Sequence, residues 1–320
     1  MTQLKTTFAG LSLRNPIIIS SSSLTNSAEK NKKLELAGAG AIVLKEQIMM
    51  EAHHMATYGS PEGDDYLSTY VRSHALNEYI SLIEQTKKLC TIPVIASINC
   101  FSNSEWTDFA RTVEAAGADA LEINILSLQT EKEYQYGSFE QRHIDIVSSI
   151  KKQISIPVIV KLGSNLTNPI ALINQLYANG ANAVVLFNRF YQPDINIDTM
   201  TYSAGDVFST PADLSNGLRW TAIASAQVPQ TDYAISGGVH DGKAIVKAIL
   251  AGASAVELCS VIYQRGNQVI ADMTNEMTQW MNRQGYKDIS EFKSSMNALS
   301  TGASNPFERT QFMKYFSSKE

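Results

Sequence analysis

The sequence predicts a single (β/α)8 barrel, and three observations carry that prediction. A short phrase recurs along the chain as "AGAGAIVLKE" (37–46), "AAGADALEIN" (115–124), "ANGANAVVLFN" (178–188) and "LAGASAVELCS" (250–260). Each reads as a helix end, a Gly-Ala turn and a buried apolar strand, with Gly38, Gly117, Gly180 and Gly252 suited to the left-handed turn that closes a helix. Between these phrases lie four further strands, "NPIIIS" (15–20), "IPVIASIN" (92–99), "IPVIVKL" (156–162) and "DYAIS" (232–236), three of them led in by a proline that costs no ladder hydrogen bond. Amphipathic stretches such as "EWTDFARTVEAAG" and "NPIALINQLYANG" fill most of the gaps. Apolar strands alternating with such helices make a parallel sheet covered by helices, and eight units in about 250 residues is the size of a closed barrel. A doubly wound open sheet is the alternative, but the Gly-x-Gly-x-x-Gly fingerprint after a first strand is missing.

The strands should begin near 15, 41, 93, 120, 157, 183, 232 and 255. Two connections are long, one near 47–91 after the second strand and one near 189–231 after the sixth. Both follow the carboxyl ends of their strands, where barrels carry active-site loops. The stretch beyond 267 continues with helical patterns, so residues 1–320 are read as one domain.

Bulk properties narrow the function. A chain of 320 residues with 44% hydrophobic and 18% charged residues folds as an ordinary globule without help from a metal or disulfide. A net charge of −5 argues against nucleic acid and anionic membranes, though a local pocket can still oppose that sign. Cys90, Cys100 and Cys259 have neither an even count nor metal spacing, which fits reduced thiols in a cytoplasm. The N-terminal stretch has no apolar core of a signal peptide, and no segment is long enough to span a bilayer. His53 and His54 are adjacent and point apart on a helix, so they make a poor metal site.

In a barrel the strand ends converge on one face. Those ends are Ser20 to Ser23, Lys45-Glu46, Asn99, Asn124 to Ser127, Lys161, Asn188-Arg189, Gly237-Gly238 and Cys259-Ser260. Two lysines at the ends of apolar strands are costly unless they have a purpose. Gly237-Gly238 stands between an apolar strand and a helix, and together with Ser260 marks the strand-seven and strand-eight corner where barrels often bind phosphate.

With these residues in view, the chain resembles the dihydroorotate dehydrogenase family, FMN-dependent (β/α)8 enzymes of pyrimidine synthesis. The resemblance runs from "FAGLSLRNPIIIS" through "GYKDISEF" and lies closer to the soluble class 1 enzymes. "LEINILSLQ" matches the loop that bears the family's base, "VIVKL" the strand of the flavin-contacting lysine, and "SGGV" with "AGASAVELCS" the FMN phosphate segments. The resemblance implies that Ser21 and Lys45 line the isoalloxazine, that Asn124 meets flavin and substrate, and that Lys161 lies at the N1–C2 edge. It implies phosphate contacts from Gly237, Gly238, Cys259 and Ser260. It implies that Ser127 is the proton acceptor, with His74 next in line, and that Asn77, Gln129, Asn188 and Arg189 hold the substrate. It also implies a small-molecule substrate, a homodimer and an electron-transfer partner subunit. Glu46, Leu128-Gln129 and Arg189 depart from the family pattern, which leaves a related dihydropyrimidine or unsaturated acid as an alternative substrate. A lyase or isomerase with Lys45 or Lys161 as a Schiff base is the reading from another enzyme class.

Overall fold

The computed structural model describes residues 2–45, 61–99, 103–300 and 306–310. The chain opens with an antiparallel hairpin, β1 (Thr6–Phe8) and β2 (Leu11–Leu13), turned at Ala9-Gly10 with positive φ at both residues. Eight parallel strands follow: β3 (Ile17–Ile19), β4 (Ala41–Leu44), β5 (Val94–Ile98), β6 (Ala120–Asn124), β7 (Val158–Gly163), β8 (Ala183–Asn188), β11 (Asp232–Ser236) and β12 (Ala255–Leu258). They pair in sequence order, and β12 pairs back to β3, closing the barrel. The eight expected strands are the eight found, each beginning within two residues of its expected start.

The outer layer is α1 (Ala28–Leu36), α2 (Pro61–Leu89), α3 (Asn103–Ala115), α4 (Ser138–Lys151), α5 (Pro169–Ala178), α6 (Leu214–Gln227) and α7 (Gly242–Ala251). After β12 come α8 (Ser260–Arg265) and α9 (Gln268–Gln284), the latter packed on α7. Both expected long loops are shorter than the sequence suggests. In the first, residues 61–89 form α2, which buries Ala75, Tyr79 and Ile83 at a four-residue spacing; residues 46–60 lie outside those described. In the second, residues 189–213 hold an antiparallel hairpin, β9 (Pro193–Asn196) and β10 (Thr201–Ala204), and α6 takes up most of the remainder. That hairpin exposes Ile195 and Tyr202, with Ile197 and Met200 exposed in its turn.

The lumen shows why the four Gly-Ala phrases recur. Strand side chains alternate inward and outward, so residues two apart stack in layers drawn from alternate strands. Ala41, Ala120, Ala183 and Ala255, the second alanine after the helix-closing glycine of each phrase, meet Ile18, Ile95, Ile159 and Ala234 from the other four strands. Phe8, Ala9 and Leu13 of the first hairpin close this cluster. Two residues further along, the strands that supply the alanines present Val43, Glu122, Val185 and Glu257, all buried. Above them stand Ser20, Ser97, Lys161 and Ser236, and then Lys45, Asn124, Phe187 and Cys259. The barrel therefore turns from aliphatic to polar along its axis.

Side chains at the amino ends hold the strands in register. Asp119 and Asn182, third in their Gly-Ala phrases, accept the Val94 and Val158 amides at 2.7 and 3.0 Å, where β5 and β7 begin. Ser254, in the same place, donates to Asp232 at 2.8 Å. In the first phrase the position is Gly40, because a Cβ there would lie 2.3 Å from the Asn15 carbonyl. Two glutamates act at longer range. Glu35 near the end of α1 accepts from the Thr91 amide (2.8 Å), the Thr91 hydroxyl (2.6 Å) and the Ile92 amide (3.2 Å). Glu114 near the end of α3 accepts the equivalent three from Ser155 and Ile156. Each glutamate thus holds the segment that leads into a proline-headed strand.

Burial alone would raise the Glu35 carboxyl, but Lys32 at 2.6 Å and the Thr91 donors hold it at about 2, below the ordinary 4.5. A group whose pKa is lower folded than unfolded stabilises fully above the unfolded value and less as pH falls. We expect Glu35→Ala to cost about 1–3 kcal/mol in urea unfolding at pH 7, the range for stranded buried donors. The gap between Glu35→Gln and the parent should narrow as pH falls from 4.5 towards 2. A gap independent of pH would show that the charge on Glu35 is not what binds the Thr91 segment.

Candidate active site

The strand carboxyl ends surround a cavity of about 380 Å³, within the range of small-molecule sites. Its floor is the polar layer of the lumen. Lys161 on β7 is 96% buried, and its Nζ lies 2.5 Å from Glu257 Oε2 on β12 and 3.9 Å from Glu122 Oε1 on β6. The same Nζ donates to Ser20 Oγ at 2.9 Å, and Ser20 Oγ donates to Glu257 Oε2 at 2.9 Å. Ser97 Oγ donates to Glu122 Oε1 at 3.3 Å, while Glu122 Oε2 meets no donor.

Two carboxyls and one ammonium share this dry space, and their charges settle accordingly. Burial works against the charged form of each group. For Lys161 the two glutamates outweigh burial and raise its pKa, keeping it an ammonium. For Glu257 burial is overcome by Lys161 and by the Glu122, Lys161 and Ser20 hydrogen bonds, so its pKa falls and it is the carboxylate. For Glu122 burial and the Glu257 charge act together and raise its pKa well above the ordinary value, so it keeps its proton. The Glu122 and Glu257 side chains are hydrogen-bonded to each other, and a bond between two carboxyl groups needs a proton on one of them. The cluster is neutral overall.

The walls are amides, hydroxyls and main chain. Asn188 Nδ2 donates to Asn124 Oδ1 at 2.8 Å, joining the ends of β8 and β6. Arg189 turns its Nη1 to the carbonyls of Asp206 (2.6 Å) and Val207 (2.7 Å), tying the strand end to the segment after the β9–β10 hairpin. Ser260 Oγ accepts the Ser209 amide at 2.9 Å, and Ser209 Oγ lies 3.1 Å from His240 Nε2. At the β11 corner the two glycines both have positive φ but differ in surroundings. A Cβ on Gly237 meets no atom within 4 Å; one on Gly238 would lie 2.1 Å from the Leu214 amide nitrogen at the start of α6. No acceptor among the described residues takes the amides of Gly237, Gly238 or Val239. The start of α7 is closed instead: Asp241 accepts the Ala244 amide and Glu276 the Gly242 amide, each at 2.7 Å.

The family model described as dihydroorotate dehydrogenase matches residues 3–281, nearly the whole barrel. The chain belongs to the dihydroorotate dehydrogenase family. Among its relatives is a protein of Thermoplasma volcanium, 28% identical over 301 residues that cover 91% of this chain and 97% of the relative. Another, from Thermoplasma acidophilum, is 27% identical over 305 residues covering 91% and 98%. A third, from Methanocaldococcus jannaschii, is 25% identical over 290 residues covering 87% and 93%. Each is named the catalytic subunit of dihydroorotate dehydrogenase B (NAD(+)). As a member of this family the chain is an oxidoreductase of the dihydroorotate dehydrogenase type, in a family of flavin enzymes.

Most of the residues singled out from the sequence meet in the cavity: Ser21, Lys45, Asn124, Lys161, Asn188, Arg189, Gly237, Gly238, Cys259 and Ser260 all line it. Three do not. Asn77 sits on an exposed face of α2, whose inward face is taken by Ala75 and Tyr79. Gln129 is exposed beyond the end of β6 and donates its Nε2 to Ser127 Oγ at 2.7 Å. Ser127 is half-buried on that loop, three residues past Asn124, and is not part of the cavity wall. His74 lies on the surface of α2, 3.4 Å from Glu78. Glu46, His53, His54 and Cys100 lie outside the described residues. Two features of the site go beyond what the sequence shows. The amides at the start of α7 are already occupied, so any anion meets the loop before that helix. Lys161 is not a lone cation, because Glu257 neutralises it. Sequence reasoning missed Glu122, Glu257, Ser97, Ser209 and His240; the available signal was a glutamate in the middle of the apolar runs "ALEIN" and "AVELC".

The glycine pair gives a clear expectation. Gly238→Ala must displace the backbone of α6, an overpacking cost of about 1–3 kcal/mol beyond the strain of its positive φ. Gly237→Ala carries only that strain, about 1–2 kcal/mol. Thermal melts should show the larger drop for Gly238→Ala, and equal drops would mean that the contact with Leu214 is not tight.

Proposed function

We propose that this chain binds FMN in the cavity at the carboxyl end of the barrel and oxidises dihydroorotate to orotate, as the catalytic subunit of an assembly that passes the electrons on. One observation carries this reading: Lys161, the Asn124–Asn188 pair and the unengaged amides of Gly237 to Val239 meet in one cavity, in a chain whose family has this activity. These residues fit the cofactor. Open space over Gly237 beside amides without acceptors suits a phosphate, which main-chain N–H groups bind well. Cys259 and Ser260 stand across the same corner, and Lys45 and Ser21 stand on the wall beside the floor.

When bound, FMN supplies the two-electron acceptor for the hydride that leaves the substrate carbon. The chain's share is to bind, orient and take the proton. The joined Asn124 and Asn188 amides present donors and acceptors to the edge of a dihydropyrimidine, and fixed amides hold one orientation at little entropic cost. Phe187 and Val207 give the cavity its apolar surface and exclude water from that edge. Ser127, on the loop after β6, takes the substrate proton while passing its own hydroxyl proton to water. The Gln129 amide that donates to Ser127 Oγ orients it and lowers its basicity. The exposed apolar residues of the β9–β10 hairpin offer a face for the homodimer or for the electron-transfer partner. No helix among the described residues is long and apolar enough to cross a membrane, in keeping with a cytoplasmic assembly.

The places of Asn77 and Gln129, both away from the cavity, support a second reading, in which the substrate is another dihydropyrimidine or an unsaturated acid. Anaerobic titration separates the two. Dihydroorotate should bleach the bound flavin stoichiometrically in the first case; a flavin that persists with dihydroorotate but bleaches with another dihydropyrimidine would establish the second. Gly237→Val should purify without FMN, because a branched side chain there occupies the space beside the free amides; stoichiometric flavin in a folded variant would place the phosphate elsewhere. Ser127→Ala should slow flavin reduction by roughly 10²–10⁴-fold with flavin content intact, the usual share of a general base. An unchanged rate would assign the proton to another group.

A further inference from the structure

The third layer of the lumen contains an anomaly that the fold does not require. At the same height β4 and β8 place Val43 and Val185, and β6 and β12 place Glu122 and Glu257. Branched aliphatic residues fill this layer in ordinary barrels, and replacing a buried ion pair by apolar residues commonly leaves a protein as stable or more so. Lys161, one layer above, needs a single countercharge, yet two carboxyls are supplied. Each has its own partners: Glu257 holds Nζ at 2.5 Å with help from Ser20, while Glu122 is held by Ser97 and stands 3.9 Å from Nζ. Cys259 and Lys45, further up, complete the ionisable groups around the floor.

We propose that Glu257 is a positioning residue for Lys161, drawing the ammonium into the lumen and cancelling its charge, so that the flavin meets a neutral cluster and is kept a stronger reductant than a lone lysine would allow. This rests on the FMN reading above. A cation facing the reduced, anionic flavin stabilises it and raises its potential, and a carboxylate within contact distance of that cation removes most of the effect. Glu122 stores the remaining proton in its hydrogen bond with Glu257, and the pair shares one negative charge. Removing the Glu257 charge therefore passes the countercharge to Glu122. That carboxylate stands further from Nζ, so Lys161 is held less closely and its field at the cavity grows.

The test is the midpoint potential of bound FMN in the holoprotein, together with infrared spectra in the region of the protonated carboxyl C=O stretch. Glu257→Gln should favour reduced flavin by about tenfold, which for a two-electron couple is about 30 mV upward. It should also abolish the protonated-carboxyl band at pH 7 as Glu122 ionises. Glu122→Gln should abolish the band and leave the potential in place, because the group it replaces is already neutral. Should Glu257→Gln fail to fold, Ser20→Ala removes one of the donors to Glu257 and should raise the potential by a smaller step. Flavin bound with an unmoved potential in Glu257→Gln, or an equal shift in both glutamate variants, overturns the proposal. A parent protein that takes up no FMN overturns the functional reading, and the proposal with it.

Discussion

The interaction on which the site depends is the ion pair between Lys161 and Glu257 in the lumen of a closed barrel. The barrel wall and its helices exclude water there, so a lysine can stand at the cavity floor only if a fixed charge and hydrogen bonds replace its solvent. β12 supplies the charge, β3 supplies Ser20, and β6 supplies the acid whose proton lets two carboxyls share one cation. Four strands are thereby tied across the lumen over two adjacent layers at one height above the aliphatic core. The aliphatic layers below, plugged by Phe8 and Leu13, make that height rigid, and every group higher up is positioned from it.

This arrangement explains what was legible in the sequence and what was not. The eight strands could be read because their causes are local. A glycine that closes a helix, an alanine small enough for the lumen and a run of aliphatics lie within ten residues of one another, four times over. The strand-end residues were legible for the same reason, since a parallel barrel sends all carboxyl ends to one face. The Lys161–Glu257 pair was not, because its partners are 96 residues apart and the glutamate lies inside a strand, where alternation treats it as one more inward position. Helix α2 was read as a loop because its buried face is carried by alanine and tyrosine among many polar residues, so its hydrophobic contrast is weak.

The Gly237-Gly238 pair shows how one motif can have two causes. From the sequence both glycines serve an anion. In the structure Gly238 is glycine because the α6 backbone lies against it, and Gly237 because the space beside it is left open. The helix that follows points its amides at Asp241 and Glu276, so the anion-binding capacity belongs to the turn rather than to the helix. The two causes reinforce each other. By docking α6 against Gly238 the fold fixes the turn in which Gly237 and Val239 line the cavity.

The cavity's three cations divide their work in a way that bears on what the site can hold. Lys161 is neutralised from below, and Arg189 is spent on the carbonyls of Asp206 and Val207, where it anchors the segment that brings Ser209 to Ser260. Lys45 is the cation of the wall without a protein partner among the described residues. On the proposed reading, a phosphate and a substrate carboxylate would draw on different resources, the phosphate on the amides beyond Gly237 and the carboxylate on Lys45. These stand at the ends of β11 and β4, on different sides of the buried cluster. A site whose only central charge is already cancelled does not pull either anion over the floor, and the space above Lys161 is left to a neutral ring.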